Sequence, residues 1–160
     1  MSLFSLADRV AVITGSTRGI GRAIAERMAE AGARVVVSSR KRDACEEVAA
    51  AIVAAHGPGR AIAIPANISS KDELRNLVDE TTRRLGRIDV LVCNAASNPY
   101  YGPMAGLDDA AFRKILENNV LSNHWLIQFA APPMLARRDG SIVIVSSIGG
   151  LRGSEVLGGY

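Results

Sequence analysis

Aromatic residues are scarce in this 160-residue chain, at 4% with a single tryptophan, which disfavours an aromatic-rich β-barrel. Cysteine is nearly absent. Cys45 and Cys93 have no metal-ligand spacing, so both read as buried free thiols of a reducing compartment. No apolar run approaches the roughly 20 residues that cross a bilayer. Met1-Ser2-Leu3-Phe4-Ser5-Leu6 lacks the basic start and long apolar stretch of a secretory leader. A soluble cytoplasmic protein is therefore expected, with no membrane partner. Charge of one sign is lacking too, with 19 Lys and Arg against 16 Asp and Glu. The only tight basic run, Arg40-Lys41-Arg42, has no interleaved aromatics, so no nucleic-acid partner is expected. His56 and His124 stand apart from any carboxylate cluster. No metal site is expected; the first reads as a solvated turn residue, the second as packed in an apolar helix.

What the chain does have is an apolar fraction of 48% distributed in an alternating rhythm. Short Val/Ile-rich runs at Arg9–Ile13, Arg34–Ser38, Ala61–Pro65, Ile88–Cys93 and Ser141–Ser146 read as strands. Between them lie segments of helical period. Ile20, Ala23, Ile24, Met28 and Ala31 mark one inward face, closed by Gly32; Cys45, Val48, Ala49, Ile52 and Val53 mark the next. Ser70-Lys71-Asp72-Glu73 has the form of a reciprocal capping box ahead of Leu74, Leu77, Val78 and Leu85. A long helix starts near Asp108 and is expected to turn Phe112, Ile115, Leu116 and Val120 inward. The order βαβαβαβαβ, with strands apolar on both faces, predicts a Rossmann-type α/β fold, a doubly wound parallel sheet with right-handed crossovers. One nucleotide-binding domain over residues 1–160 is enough.

Thr14-Gly15-Ser16-Thr17-Arg18-Gly19-Ile20-Gly21 joins the first strand to the first helix. Gly15 permits a sharp turn, Gly19 a close backbone approach to a pyrophosphate, and Gly21 tight helix packing, while the helix N-terminus offers free amides. At the end of the second strand, where an acid ordinarily grips the adenosine 2′-hydroxyl, stand Ser38-Ser39-Arg40-Lys41. A carboxylate would repel a 2′-phosphate and Arg40 can pair with one, with Arg18 as a second cation. NADP(H) is expected over NAD(H).

With these residues placed, the chain resembles the short-chain dehydrogenase/reductase family, in particular its NADP(H)-dependent carbonyl reductase and retinol dehydrogenase-like members, from Arg9 to Tyr160. The Gly15–Gly21 spacing, with Thr17 and Ile20 inside it, matches the family turn. Asn94-Ala95-Ala96-Ser97 is similar to the family's Asn-(Asn/Ala)-Ala-Gly motif, departing from it at Ser97. Asn67-Ile68 stands where members contact adenine. Asn119, Ser147 and Tyr160 match the family's catalytic asparagine, serine and tyrosine.

The resemblance implies an oxidoreductase moving a hydride between NADP(H) and a ketone, aldehyde or secondary alcohol. Tyr160 would be the general acid/base, Ser147 would hold the substrate oxygen and Asn119 would help order a relay water. A free phenol with a pKa of ~10 needs a nearby cation. In the family this is a lysine four residues after the tyrosine, and no residue 164 exists here. That vacancy, with a fifth strand left as an uncovered edge, predicts the front part of a longer protein. The alternative is a catalytically incomplete nucleotide-binding module; more remote is an assembly protein using the sheet edge. Members of the family are usually dimers or tetramers, so a homo-oligomer is expected of the intact protein. Tyr100 and Tyr101 are candidates for the substrate side or for a plain turn.

Overall fold

In a computed structural model describing residues 4–160, five parallel strands form one sheet in the order β3-β2-β1-β4-β5. They are β1 (Val10–Thr14), β2 (Arg34–Ser38), β3 (Ala61–Ala63), β4 (Val90–Cys93) and β5 (Ser141–Ile144). Met1, Ser2 and Leu3, part of the stretch read as leader-free, lie outside the described residues. The helices are α1 (Gly19–Glu30), α2 (Arg42–His56), α3 (Lys71–Leu85), α4 (Asp109–Leu116) and α5 (Ser122–Arg137). No helix among the described residues is long and apolar enough to cross a membrane.

Strand alternation divides the core in two. Ala11, Ile13, Val35, Val37, Val90 and Val92 face α1 and α2, meeting Ala25, Ala29, Cys45, Val48 and Ile52. Val12, Val36, Leu91 and Cys93 face α3 and α5, meeting Leu74, Leu77, Leu126 and Ala130. Both faces of the central strands are covered, as their continuous apolar runs require. Burial pushes the Cys93 thiol up to about 11, which keeps it protonated and unreactive near neutrality.

Three sequence expectations are corrected. Ile20 and Ala23 are not on the inward face of α1, Ile20 being 66% exposed and Ala23 exposed as well, because Gly21, Ala25 and Ala29 form the line that touches the sheet. Phe112, Leu116 and Val120 also point outward; of that set only Ile115 is buried. The core line of this helical stretch runs through Ile115, Asn118, Ser122, Leu126, Ala130 and Met134. Two polar residues sit on that line, satisfied internally, so the apolar pattern marks a neighbouring face. His124, expected to be packed, is exposed.

The capping box is half formed. Ser70 Oγ accepts the Glu73 amide at 3.3 Å, but the Glu73 carboxylate accepts from Asn67 N, at 2.8 Å. It fixes the loop before the cap instead of the cap itself. Asp108 caps α4 as expected, accepting the Ala111 amide at 2.7 Å. The expected long helix is one rod with a π-helical turn, Glu117–Leu121, between α4 and α5.

β5 is an edge strand, with Ile142, Val143 and Ile144 exposed. At the opposite end of the strands from their C-termini, Asp89 is buried among arginines. It accepts the Val10 amide at 2.9 Å, pairs closely with Arg87, and lies 3.4 Å from Arg9 and 4.0 Å from Arg137. Arg9 also pairs with Asp139 and holds that carboxylate below its usual range. Removing the buried carboxylate strips the Val10 amide of its acceptor and leaves Arg87, whose Nε is already buried without a partner among the described residues, with Asp139 at 3.3 Å as its remaining acid. Asp89→Ala is therefore expected to destabilise the fold by about 3–5 kcal/mol. By contrast, truncating the exposed Arg27–Glu30 pair should change stability by at most about 1 kcal/mol. Urea midpoints of the two variants check the contrast.

Candidate functional site

The C-terminal ends of β1, β2 and β4 open onto a cleft of about 920 Å³. It lies where the strand order reverses: β1 leads outward to β2 and β3, and the chain then crosses back to β4 on β1's other side. Ligands of open α/β sheets bind at such a switch point.

The turn after β1 is shaped for close approach. Gly15 and Gly19 have φ of +66° and +55°, the left-handed region that favours glycine. Nothing lies within 4 Å of where a Cβ on Gly19 would sit, so its open side faces the cleft. A Cβ on Gly21 would overlap Gly15 O and Asn94 Nδ2. The Asn94 amide donates to Thr14 O at 2.9 Å and to Gly15 O at 3.3 Å. Thr14 Oγ1 in turn accepts the main-chain amides of Asn94 and Ala95, each at 3.1 Å. The Asn94 motif thus ties the ends of β1 and β4 together beneath the cleft. Buried Ser16, which the sequence reading passed over, fastens the turn to β2: its hydroxyl donates to Ile13 O at 2.7 Å and accepts the Ser38 amide at 2.9 Å.

Gly15, Thr17, Arg18, Gly19, Ile20, Gly21, Ser39, Arg40, Asn67, Ile68 and Asn94 all line this cleft. No Asp or Glu is among its lining residues. Arg18, Arg40 and Lys41 reach it without an ion-pair partner among the described residues, whereas Arg42 turns away to Glu46 at 3.6 Å. The Arg40 loop is held from beneath by buried Cys45, whose sulfur accepts the Ser39 amide at 3.2 Å and lies 3.3 Å from the Ser39 hydroxyl. A cleft with a glycine turn and an exposed helix start has the features that receive a pyrophosphate.

Ser147 follows β5, and its hydroxyl accepts the Gly149 amide at 3.1 Å. A Cβ on Gly149 would meet Ser147 Oγ at 3.4 Å and Tyr160 Cδ1 at 3.9 Å, so the structure brings these two candidates together beside one glycine. Asn119 stands in the π-helical turn. Its side chain grips the main chain of Ser97, accepting from Ser97 N and donating to Ser97 O, both at 2.9 Å. No hydrogen bond joins Asn119, Ser147 and Tyr160 to one another among the described residues. Tyr100 folds into its own loop, its hydroxyl donating to Pro103 O at 2.7 Å, and Tyr101 is exposed.

Residues 9–160 match the short chain dehydrogenase family. The chain belongs to that family. It is 38% identical to dehydrogenase/reductase SDR family member 4 of Rattus norvegicus over 156 residues, covering 97% of this chain and 55% of the rat protein. It is 40% identical to the mitochondrial dehydrogenase/reductase SDR family member 2 of Homo sapiens, covering 97% of this chain and 54% of the human protein. The chain thus spans about half the length of the curated relatives it matches. Among solved structures, a 7α-hydroxysteroid dehydrogenase complexed with NADH and 7-oxo glycochenodeoxycholic acid superposes with a TM-score of 0.91 at 35% identity, over 98% of this chain and 60% of that one. A metagenomic short-chain oxidoreductase in complex with NADP gives 0.86 at 34% identity, over 93% and 66% of the respective chains. NADH is bound in the first of these solved relatives and NADP in the second.

Sequence reasoning missed four polar residues of the same cleft: Ser69, Ser97 (noted only as a departure from glycine), Lys114 and Asn118. The available signal was the pair Asn118-Asn119, since two adjacent amides in a helix that otherwise buries Leu and Ala need partners.

Proposed function

We propose that the protein is an NADP(H)-dependent oxidoreductase interconverting a ketone or aldehyde with an alcohol, residues 1–160 forming its nucleotide-binding domain. The observation that carries this reading is the acid-free cleft on which Arg18, Arg40 and Lys41 stand without an ion-pair partner among the described residues. When bound, the nicotinamide supplies or takes up the hydride at the carbonyl carbon.

The protein's residues do the rest. Amides of the Gly15–Gly21 turn receive the pyrophosphate, helped by the positive end of α1. Arg40, with Arg18 and Lys41, takes the ribose 2′-phosphate, and Asn67 with Ile68 borders the adenine. Ser147 Oγ accepts the Gly149 amide and so keeps its own proton for the substrate oxygen, a donor aimed at developing negative charge. Tyr160, also beside Gly149, delivers that oxygen's proton in reduction and removes it in oxidation. Asn119, immobilised against Ser97, offers a fixed edge on which a water relaying the Tyr160 proton is ordered.

The buried, unpaired Cys45 and Cys93 support a reducing compartment such as the cytoplasm. The outward apolar face of Phe112, Leu116, Val120 and Leu121 supports a homo-oligomer, dimer or tetramer. NADPH consumption against a panel of ketones, aldehydes and dicarbonyls tests the activity. Turnover with at least one class is expected; tight NADPH binding without turnover of any would favour a binding module instead.

A further inference from the structure

Lys114, Ser69, Asn118 and Ser97 form a hydrogen-bonded chain along the wall of the cleft. Lys114 Nζ lies 2.9 Å from Ser69 Oγ, Ser69 Oγ lies 2.7 Å from Asn118 Oδ1, and Asn118 Nδ2 lies 2.7 Å from Ser97 Oγ. Three separate segments meet in it: the loop after β3, the loop after β4, and the α4 helix with its π-helical turn. All four residues line the cleft, and Asn118 is 5% exposed.

The direction of every bond follows from one end. An ammonium can only donate. Ser69 Oγ therefore accepts from Lys114 and passes its own proton to Asn118 Oδ1. That fixes the Asn118 amide so that its nitrogen faces Ser97, and Ser97 Oγ accepts. The Ser97 proton is left over, with no acceptor among the described residues. Asn119 meanwhile clamps the Ser97 amide and carbonyl, so the residue cannot swing away. The fixed charge of Lys114, whose nearest carboxylate is Glu117 at 4.0 Å, polarises the chain toward its far end.

We propose that Ser97 is a cofactor-binding donor, its hydroxyl aimed at an oxygen of the ribose–pyrophosphate spine of the dinucleotide, with Asn118 as the positioning residue that orients it. The inference rests on the dinucleotide reading of the cleft. A spine oxygen is the fitting partner because every oxygen of the spine can accept the Ser97 proton, and because Ser97 follows β4, tied through Asn94 to the phosphate turn. Such a donor adds affinity shared by NADPH and NADH, since the spine is common to both.

Fluorescence titration of NADPH and NADH, alongside melting of the ligand-free protein, tests the proposal on the parent, Ser97→Ala, Asn118→Leu and the double variant. Ser97→Ala is expected to weaken both dinucleotides by about 5–10-fold, the range of one neutral hydrogen bond, with a modest fall in the melting temperature of the ligand-free protein because the buried Asn118 amide loses its acceptor. The double variant should bind no more weakly than the weaker single variant, because Asn118 acts through Ser97. Unchanged dissociation constants in Ser97→Ala, or losses that multiply in the double variant, would overturn the proposal. Should Asn118→Leu melt early, Lys114→Met replaces it as the second arm: about twofold to threefold weaker binding supports the polarised chain, and parent-like binding refutes Lys114's part in it. A parent protein that binds neither dinucleotide would instead overturn the underlying reading.

Discussion

Tyr160→Phe is expected to lower kcat by about 10²–10⁴-fold while NADPH binding stays as in the parent. The phenol oxygen is the group assigned to move the substrate proton, and the ring that packs beside Gly149 is retained in phenylalanine. Ser147→Ala should reduce kcat by about 10²–10³-fold, as removal of a donor to developing charge does elsewhere. Because the two groups act on one oxygen, the double variant should fall little below Tyr160→Phe alone. Steady-state kinetics with saturating NADPH read these effects directly. Full turnover in Tyr160→Phe would remove the tyrosine from the chemistry, whatever becomes of the cofactor cleft.

The second large effect concerns cofactor choice. Arg40→Ala is expected to weaken NADPH by about 10–100-fold, the range of hydrogen bonds to a charged group, with little change for NADH. Ser39→Asp should move preference further, because a carboxylate at the end of β2 repels a 2′-phosphate and accepts from a 2′-hydroxyl. Arg42→Ala serves as the control from the same basic run. It pairs with Glu46 on α2 and does not line the cleft, so binding of either dinucleotide should be unaffected. Equal loss in Arg40→Ala and Arg42→Ala would mean that the run acts only as a diffuse positive surface.

Much of this architecture was legible in the residues. Central strands buried on both faces must be apolar throughout, so β1, β2 and β4 announce themselves as Val/Ile runs. The glycine turn could be read because Gly15 and Gly21 are constrained by contacts to the neighbouring strand end, and only glycine fits there. Arg40 was legible as a cleft residue because it stands at the end of β2, where an acid would otherwise be expected.

The helical stretch from Asp109 to Arg137 was harder. Its core line includes Asn118 and Ser122, polar residues satisfied inside the structure, while Phe112, Leu116 and Val120 are apolar and exposed. Period alone assigns such a helix the wrong inward face, since period cannot see a hydrogen bond to another segment. For the same reason the Lys114–Ser69–Asn118–Ser97 chain escaped notice, its bonded pairs lying 21 to 49 positions apart in the sequence. Ile20 misled in the opposite way: an apolar residue at the first turn of α1 sits at the mouth of the cleft, not in the core.

A parallel equilibrium titration of NADPH and NADH on the unaltered protein bears most directly on the cleft. If the glycine turn seats a pyrophosphate and Arg40 seats the extra phosphate, NADPH should bind at least about tenfold more tightly than NADH, and added salt should narrow the gap. Equal affinity, tighter NADH, or no saturable binding of either would contradict the account.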